Sequence, residues 1–176
     1  PESVKMDKRF GGVSYSHSLN LLPGTGLTPS LTLNYSSHTQ HSKYGYGWSM
    51  NTSQIERSTR KGAPCYNTCP AGKTDSFELD GELLVPDPTE ANRYHYSNNN
   101  YARILYLPAT DSWEVTTASG MKYLYGSRPT ANSKLWDGNT GQSNNGRTYR
   151  WAQDQVIDPI GNYYIVDYWR DLYTVS

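Results

Sequence analysis

Helix signals are all but missing from this chain. No window shows a sustained three-to-four spacing of apolar residues with capping residues at both ends, which excludes helical bundles and alternating α/β architectures. No apolar run approaches the roughly 18 residues of a membrane-spanning helix. Neither sign of charge is in excess: 16 basic and 16 acidic residues leave a net charge of +0. A nucleic-acid footprint or a polybasic membrane patch needs a surplus of Lys and Arg, so neither partner is expected. A Gly-x-Ser-x-Gly elbow is absent, and no Ser or Cys has an identifiable His partner, so nucleophilic catalysis finds no support. The glycine clusters do not run into a helix start, which removes a phosphate cradle. No catalytic residue, cofactor or metal is expected. The chain begins at Pro1 rather than Met, so the lack of a signal peptide says nothing about export.

Phenylalanine is also scarce, with 2 residues, against 16 Tyr and 5 Trp. Apolar residues make up only 35% of the 176 positions, so the core must lean on Tyr and Trp. These side chains bury large areas while keeping a polar tip for water or a hydrogen bond, which suits sheets with one wet face. The length fits one domain with one sizeable core.

Period-two alternation recurs along the chain. It predicts strands over Val13 to Leu21, Leu31 to Tyr35, Ser53 to Thr59, Ser76 to Leu79 and Leu83 to Val85. It continues over Tyr101 to Leu107, Trp113 to Thr117, Lys122 to Tyr125, Tyr149 to Ile157 and Tyr163 to Trp169. Turn clusters separate them at Pro23 to Gly26, Asp80-Gly81, Asn98 to Asn100, Ala118 to Gly120 and Asp158 to Asn162. The fold class is therefore all-β, largely antiparallel and meander-like, with about ten short strands and few or no helices. Residues 126–146, rich in Asn, Gly and Ser, read as a long polar loop, either mobile or covered by a partner.

Several side chains invite a chemical reading and have a plainer one. His38 and His41 sit in a Ser/Thr/Gln loop; exposed loop histidines are usually unspecific, and a metal pair is the alternative. Asp137-Gly138-Asn139-Thr140-Gly141 lacks the later acidic ligand of a calcium loop and reads as a turn. Glu78, Asp80 and Glu82 alternate with Phe77, Leu79 and Leu83, the pattern of a strand with one wet face rather than a catalytic pair. Trp48 reads as a core aromatic at a tight corner between Gly47 and Ser49, with sugar stacking as the alternative. Gly24, Gly26, Gly45, Gly47, Gly81, Gly120 and Gly161 supply positive φ or close backbone approach in turns.

The literal residues go further than their pattern. Gly12 to Ser16, Pro23-Gly24-Thr25-Gly26-Leu27, Pro29-Ser30-Leu31, Tyr35-Ser36, Tyr44 to Ser49 and Ile55-Glu56-Arg57 follow one another in order. Asp75 to Leu83, Trp113 to Gly120 with Tyr125-Gly126, and Asp158 to Asn162 with Tyr168 continue the series. In this order the phrases resemble the N-terminal domain shared by the plasmid virulence protein SpvB and the B components of insecticidal toxin complexes (Tc toxins). Residues 158–168 further resemble one unit of the tyrosine-aspartate (YD or Rhs) repeat, a hairpin that needs stacked neighbours to bury its face. The resemblance makes Pro23, Gly24, Gly26, Pro29, Gly45, Gly47, Trp48, Arg57, Asp80, Gly81, Gly120, Gly161 and Asn162 the structural residues of the domain. One glycine usual after Gly26 is missing here, and the loop from Gly62 to Lys73 with Cys65 and Cys69 is an addition to the family pattern.

The resemblance implies a fragment of a larger exported bacterial toxin, residues 1–176 being its N-terminal β domain. The function it implies is a non-enzymatic structural and interaction unit of a β-shell that houses or delivers a toxic C-terminal domain. Other toxin subunits or downstream shell domains are the expected partners, and the location is secreted. The ADP-ribosyltransferase activity of SpvB belongs to a separate C-terminal domain, and its Glu-x-Glu motif is not found here. A carbohydrate- or cell-surface-binding module that takes a host-surface glycan on exposed aromatics is the alternative; an enzyme in its own right ranks last. For Cys65 and Cys69 a small disulfide loop suits an exported protein. Free thiols, or a zinc site with two further ligands, are the other readings.

Overall fold

The computed structural model describes residues 3–7, 11–24, 26–39, 41–42, 44–97, 102–136 and 147–169. The chain divides into two compact units, Pro1–Thr52 and Ser53–Ser176. The protein is all-β and antiparallel, and the only helical residues described are a 3₁₀ turn at Tyr66–Thr68.

The first unit holds β1 (Ser3–Asp7), β2 (Gly12–Leu19), β3 (Leu31–Ser36), β4 (His41–Ser42), β5 (Gly45–Tyr46) and β6 (Trp48–Met50). Four of these form a sheet in the order β1-β2-β3-β6, and β4 pairs with β5. Tyr15 lies opposite Tyr35, and Tyr35 opposite Trp48, so the three rings line up across the strands. The Trp48 ring centroid is 5.2 Å from that of Tyr35 and 6.3 Å from that of Tyr15. Trp48 begins β6 at the expected corner but is half-buried rather than enclosed. The expected first strand stops at Leu19, and Leu22 beyond it is 93% exposed.

Gly47 is what lets the corner close. Its φ is +80°, and a Cβ there would stand 2.5 Å from Cε2 of Tyr35. Gly47→Ala is expected to destabilise this unit by roughly 1–3 kcal/mol, through strain and overpacking together. Trp48→Ala should cost less than the roughly 3–5 kcal/mol of a fully buried aromatic. Chemical denaturation followed by circular dichroism reads both.

The second unit is built from β7 (Gln54–Arg57), β8 (Phe77–Leu79), β9 (Glu82–Pro86), β10 (Arg93–Tyr96), β11 (Arg103–Leu107) and β12 (Ser112–Thr116). It continues with β13 (Lys122–Tyr125), β14 (Lys134–Trp136), β15 (Thr148–Ile157) and β16 (Tyr163–Ile165). From β7 to β13 each strand except the last pairs with the next, and the long β15 pairs with both β7 and β13. Eight strands thereby close into a barrel, with β14 and β16 added along β15. Its interior is filled by Ile55, Phe77, Leu79, Leu84, Ile104, Trp113, Val115, Tyr125 and Trp151. Period two explains the set: Ile55 and Arg57, Phe77 and Leu79, and Trp113 and Val115 each share one face of a strand.

Four expectations change here. β14 lies inside the stretch read as a polar loop, and the rest of that loop, residues 137–146, is outside the described residues. The last expected strand ends at Ile165, because the Val166 amide still donates to Asp154 but the Tyr168 amide turns away to Ala131. Glu78, read as part of a wet face, is only 8% exposed, since Ser58 and Arg60 cover it. β1 and β10 were not among the expected strands, although Val4 and Met6 in the first and Tyr94 and Tyr96 in the second do alternate with polar residues.

Candidate functional site

Among the described residues no nucleophile–base pair stands out, so the site is built from the two ends of the barrel and from its added hairpin. One end is closed. Arg57, at the end of β7, points inward and is 8% exposed. Its Nε donates to the Thr148 carbonyl at 2.8 Å, and its Nη1 meets Asp75 Oδ2 at 2.7 Å. The guanidinium lies 4.9 Å from the Tyr66 ring centroid, 5.2 Å from Phe77 and 5.6 Å from Trp151. Asp75 also accepts the backbone N–H groups of Cys65 and Tyr66, at 2.9 and 2.8 Å. The structure joins Cys65 and Cys69 in a disulfide. The two sulfurs and the Asp75 carboxylate lie close together, but sulfurs bonded to each other are not thiolate ligands, so the cluster is structural in this form.

The other end is open among the described residues. There β8, β10 and β12 finish, and a cavity of about 330 Å³ is lined by Tyr96, Tyr123 and Tyr125 over Leu79 and Val115. Asp80 stands at its rim: Oδ1 accepts the Gln54 amide at 2.8 Å and Oδ2 accepts the Ser53 hydroxyl at 2.7 Å. The Tyr125 hydroxyl is 2.9 Å from Ser53 Oγ. Burial, then the charges of Asp80 and Glu82, push the Tyr96 phenol up to about 12. Burial likewise raises Tyr125, against the opposing Ser53 hydrogen bond.

Beside the barrel, Asp154 is fully buried on β15. It accepts the hydroxyls of Ser127 and Ser133 and the amide of Arg128, each at 2.8 Å. A second cavity of about 390 Å³ lies next to this knot, bounded by Arg128, Lys134 and Trp136. Burial holds the Lys134 ammonium below its ordinary range, with Asp111 and Asp154 opposing.

The β15–β16 hairpin turns on Asp158. Its Oδ1 accepts the amides of Ile160 (3.0 Å) and Asn162 (2.8 Å), and its Oδ2 accepts the Asn162 side chain at 2.7 Å. Ile160 in the turn, and Tyr163, Ile165 and Trp169 after it, are 85%, 63%, 46% and 91% exposed. Partial desolvation opposes the lowering of the Asp158 pKa, but the Asn162, Ile160 and Gly161 hydrogen bonds outweigh it and hold the carboxyl below the usual carboxylate range. A depressed carboxyl contributes its stabilisation above its unfolded pKa of roughly 3.9 and loses it as pH falls through the lower folded value. The turn should therefore stay ordered down to acid pH, and Asp158→Ala should loosen it at neutral pH. Amide exchange at Gly161 and Asn162 reads both outcomes.

The expected structural residues fall in three places. Pro23, Gly24, Gly26 and Pro29 lie between β2 and β3, where the Gly24 amide donates to Thr28 Oγ1. Gly45, Gly47 and Trp48 make the corner, while Arg57, Asp80, Gly81, Gly120, Gly161 and Asn162 belong to the second unit. Arg57 and Asp80 stand at opposite ends of the barrel; Gly120 instead sits against Pro159 of the hairpin turn. His38 is exposed, while the His41 side chain and residues 137–141 lie outside the described part. Sequence reasoning missed the Asp75 bridge, the tyrosine-lined mouth and the buried Asp154. The pairs Tyr94/Tyr96 and Tyr123/Tyr125, two residues apart on strands, were the available signal for the mouth.

Comparison with known proteins follows the same lines. The family described as Salmonella virulence plasmid 65kDa B protein matches residues 8–109. The Mono(ADP-ribosyl)transferase SpvB of Salmonella choleraesuis (strain SC-B67) is 28% identical, over 81% of this chain and 27% of the relative. The chain thus spans about a quarter of the curated relatives it matches. The crystal structure of TcdB2-TccC3 superposes with a TM-score of 0.71 at 24% identity, over 92% of this chain and 8% of that one, which shows the fold. The N-terminal domain of effector protein SpvB from Salmonella typhimurium strain LT2 gives 0.62 at 25% identity, over 77% of this chain and 48% of that one.

Proposed function

Because the chain belongs to the SpvB family, we propose that it is a non-catalytic structural unit of an exported bacterial toxin, packed into a larger β-shell of the Tc B-component kind. The observation that carries this reading is the β15–β16 hairpin. A barrel strand continues into an edge strand whose Tyr163 and Ile165 stay exposed, and Ile160 in the turn between them is exposed as well. Such an edge is a template for further pairing, and apolar side chains gathered on it mark a contact surface. The occupant is a neighbouring domain or subunit of the same toxin, and the toxic activity of the whole resides outside this chain.

Two measurements test this. Purified protein is incubated with NAD and with polysaccharide substrates; turnover that disappears on mutating residues of this chain would overturn the structural reading. Sedimentation velocity then compares the protein with an Ile165→Ser/Tyr163→Ser variant. Self-association of the parent that the variant relieves is the expected result. A parent that stays monomeric at high concentration, and does not associate with the remainder of its toxin, argues against the contact surface.

A further inference from the structure

The open mouth of the barrel has a chemistry that the structural role does not require. Its walls are the rings of Tyr96, Tyr123 and Tyr125, and Leu79 and Val115 form an apolar floor. Among the described residues, Asp80 is the only charged residue that lines it. The hydrogen bonds from Ser53 and the Gln54 amide fix the Asp80 carboxylate at the rim. Neither partner is a cation, and Asp80 makes no ion pair among the described residues. The negative field reaches the rings, since Asp80 and Glu82 both add to the upward shift of the Tyr96 phenol that burial begins.

These features exclude most ligand classes. An anion would face an aromatic wall and a carboxylate with no Lys or Arg lining to meet it. A metal ion would find one carboxylate and no His or Cys. A plain hydrocarbon would leave the rim carboxylate and the hydroxyls desolvated. Several aromatic walls with one acidic group suit a weakly hydrated positive charge, which the ring quadrupoles attract at separations of up to about 6 Å. The cavity of about 330 Å³ is at the small end of ligand pockets, which run from about 300 to 1,000 Å³.

We propose that the open end of the barrel is an aromatic cage for an organic cation of quaternary-ammonium size, with Tyr96, Tyr123 and Tyr125 as its walls and Asp80 as the counter-charge. The site is independent of the hairpin contact surface and does not rest on it.

The test is calorimetric and NMR titration of the full chain at low salt with choline, and with its uncharged isostere 3,3-dimethylbutan-1-ol. Choline is expected to bind saturably and to shift the Tyr96 and Tyr123 ring signals. The isostere should bind about tenfold more weakly, the ratio that a cation–π contribution of about 1.4 kcal/mol gives. Tyr123→Leu and Tyr96→Leu should each lose about tenfold, while Tyr123→Phe and Tyr96→Phe, which keep the ring, should bind nearly as the parent does. Circular dichroism checks that the Leu variants fold; if they do not, the Phe variants and the isostere still decide. Nα-acetyl-lysine amide serves as a third titrant. Weaker binding than choline supports a quaternary ammonium as the occupant, and tighter binding of this primary ammonium overturns that assignment. Equal affinity for the isostere, loss of binding in the Phe variants, saturable binding of glucose in place of choline, or no saturation by any cation overturns the proposal.

Discussion

Replacing Arg57 by Ala is expected to lower the stability of the barrel by roughly 3–5 kcal/mol, the range for removing one member of a buried ion pair. Truncation leaves Asp75, whose side chain is 7% exposed, without its cation in the closed end of the barrel. It also strips the Thr148 carbonyl of a donor and removes the cation stacked among Tyr66, Phe77 and Trp151. Arg57→Lys should recover only part of the loss. A single ammonium is a point charge and cannot meet Thr148 and Asp75 in a planar fork while stacking on rings. Asp75→Asn should destabilise as well, because it leaves the guanidinium buried without a counter-charge. Urea denaturation followed by far-ultraviolet circular dichroism measures all three. An Arg57→Ala protein within about 1 kcal/mol of the parent, the scale of an exposed pair, would mean that the closed end is solvated.

That result would also measure how far a strand pattern can be trusted for charged residues. Ile55 and Arg57 lie two apart on β7, so period two alone puts both on one face, and the structure buries both. Sequence logic assigns a face readily but prices a charge as solvent-facing unless its partner is known. Asp75 lies eighteen residues further on, across a loop whose path no local rule predicts. Glu78 went wrong for the same reason: its neighbours alternate as on a wet face, but Ser58 and Arg60, from the preceding loop, cover it. The all-β class and the turns at Asp80-Gly81 and Asp158 to Asn162 were legible because Gly, Pro, Asn and Asp act locally. The closure of the barrel was not, because it depends on β15 being long enough to serve β7 with its first half and β13 with its second. A ten-residue strand such as β15 looks the same in sequence whether it has one neighbour on an edge or two. β14 was lost inside a polar stretch for a related reason, since three residues are too few to carry a period.

The tryptophans of the core should separate packing from hydrogen bonding. Trp113 and Trp151 are both fully buried, with centroids 5.9 Å apart, so either change to Ala should cost roughly 3–5 kcal/mol through lost contacts and the cavity left behind. Changes to Phe should split the pair. The Trp151 indole donates to the Asp111 carbonyl at 2.8 Å, in a turn where Asp111 holds φ at +48°. Tyr106 donates to the Asp111 carboxylate at 2.9 Å, and Thr148 ties the same side chain to β15. Trp151→Phe therefore loses volume and also leaves a carbonyl without its donor, an added cost of roughly 1–3 kcal/mol. The Trp113 indole N–H is buried and has no hydrogen-bond partner among the described residues. Trp113→Phe loses similar volume but removes an unsatisfied donor, and the second effect offsets part of the first. The expected order of urea midpoints is parent, then Trp113→Phe, then Trp151→Phe. Equal midpoints for the two Phe variants, or the reverse order, would show that the Asp111 turn does not depend on the Trp151 hydrogen bond.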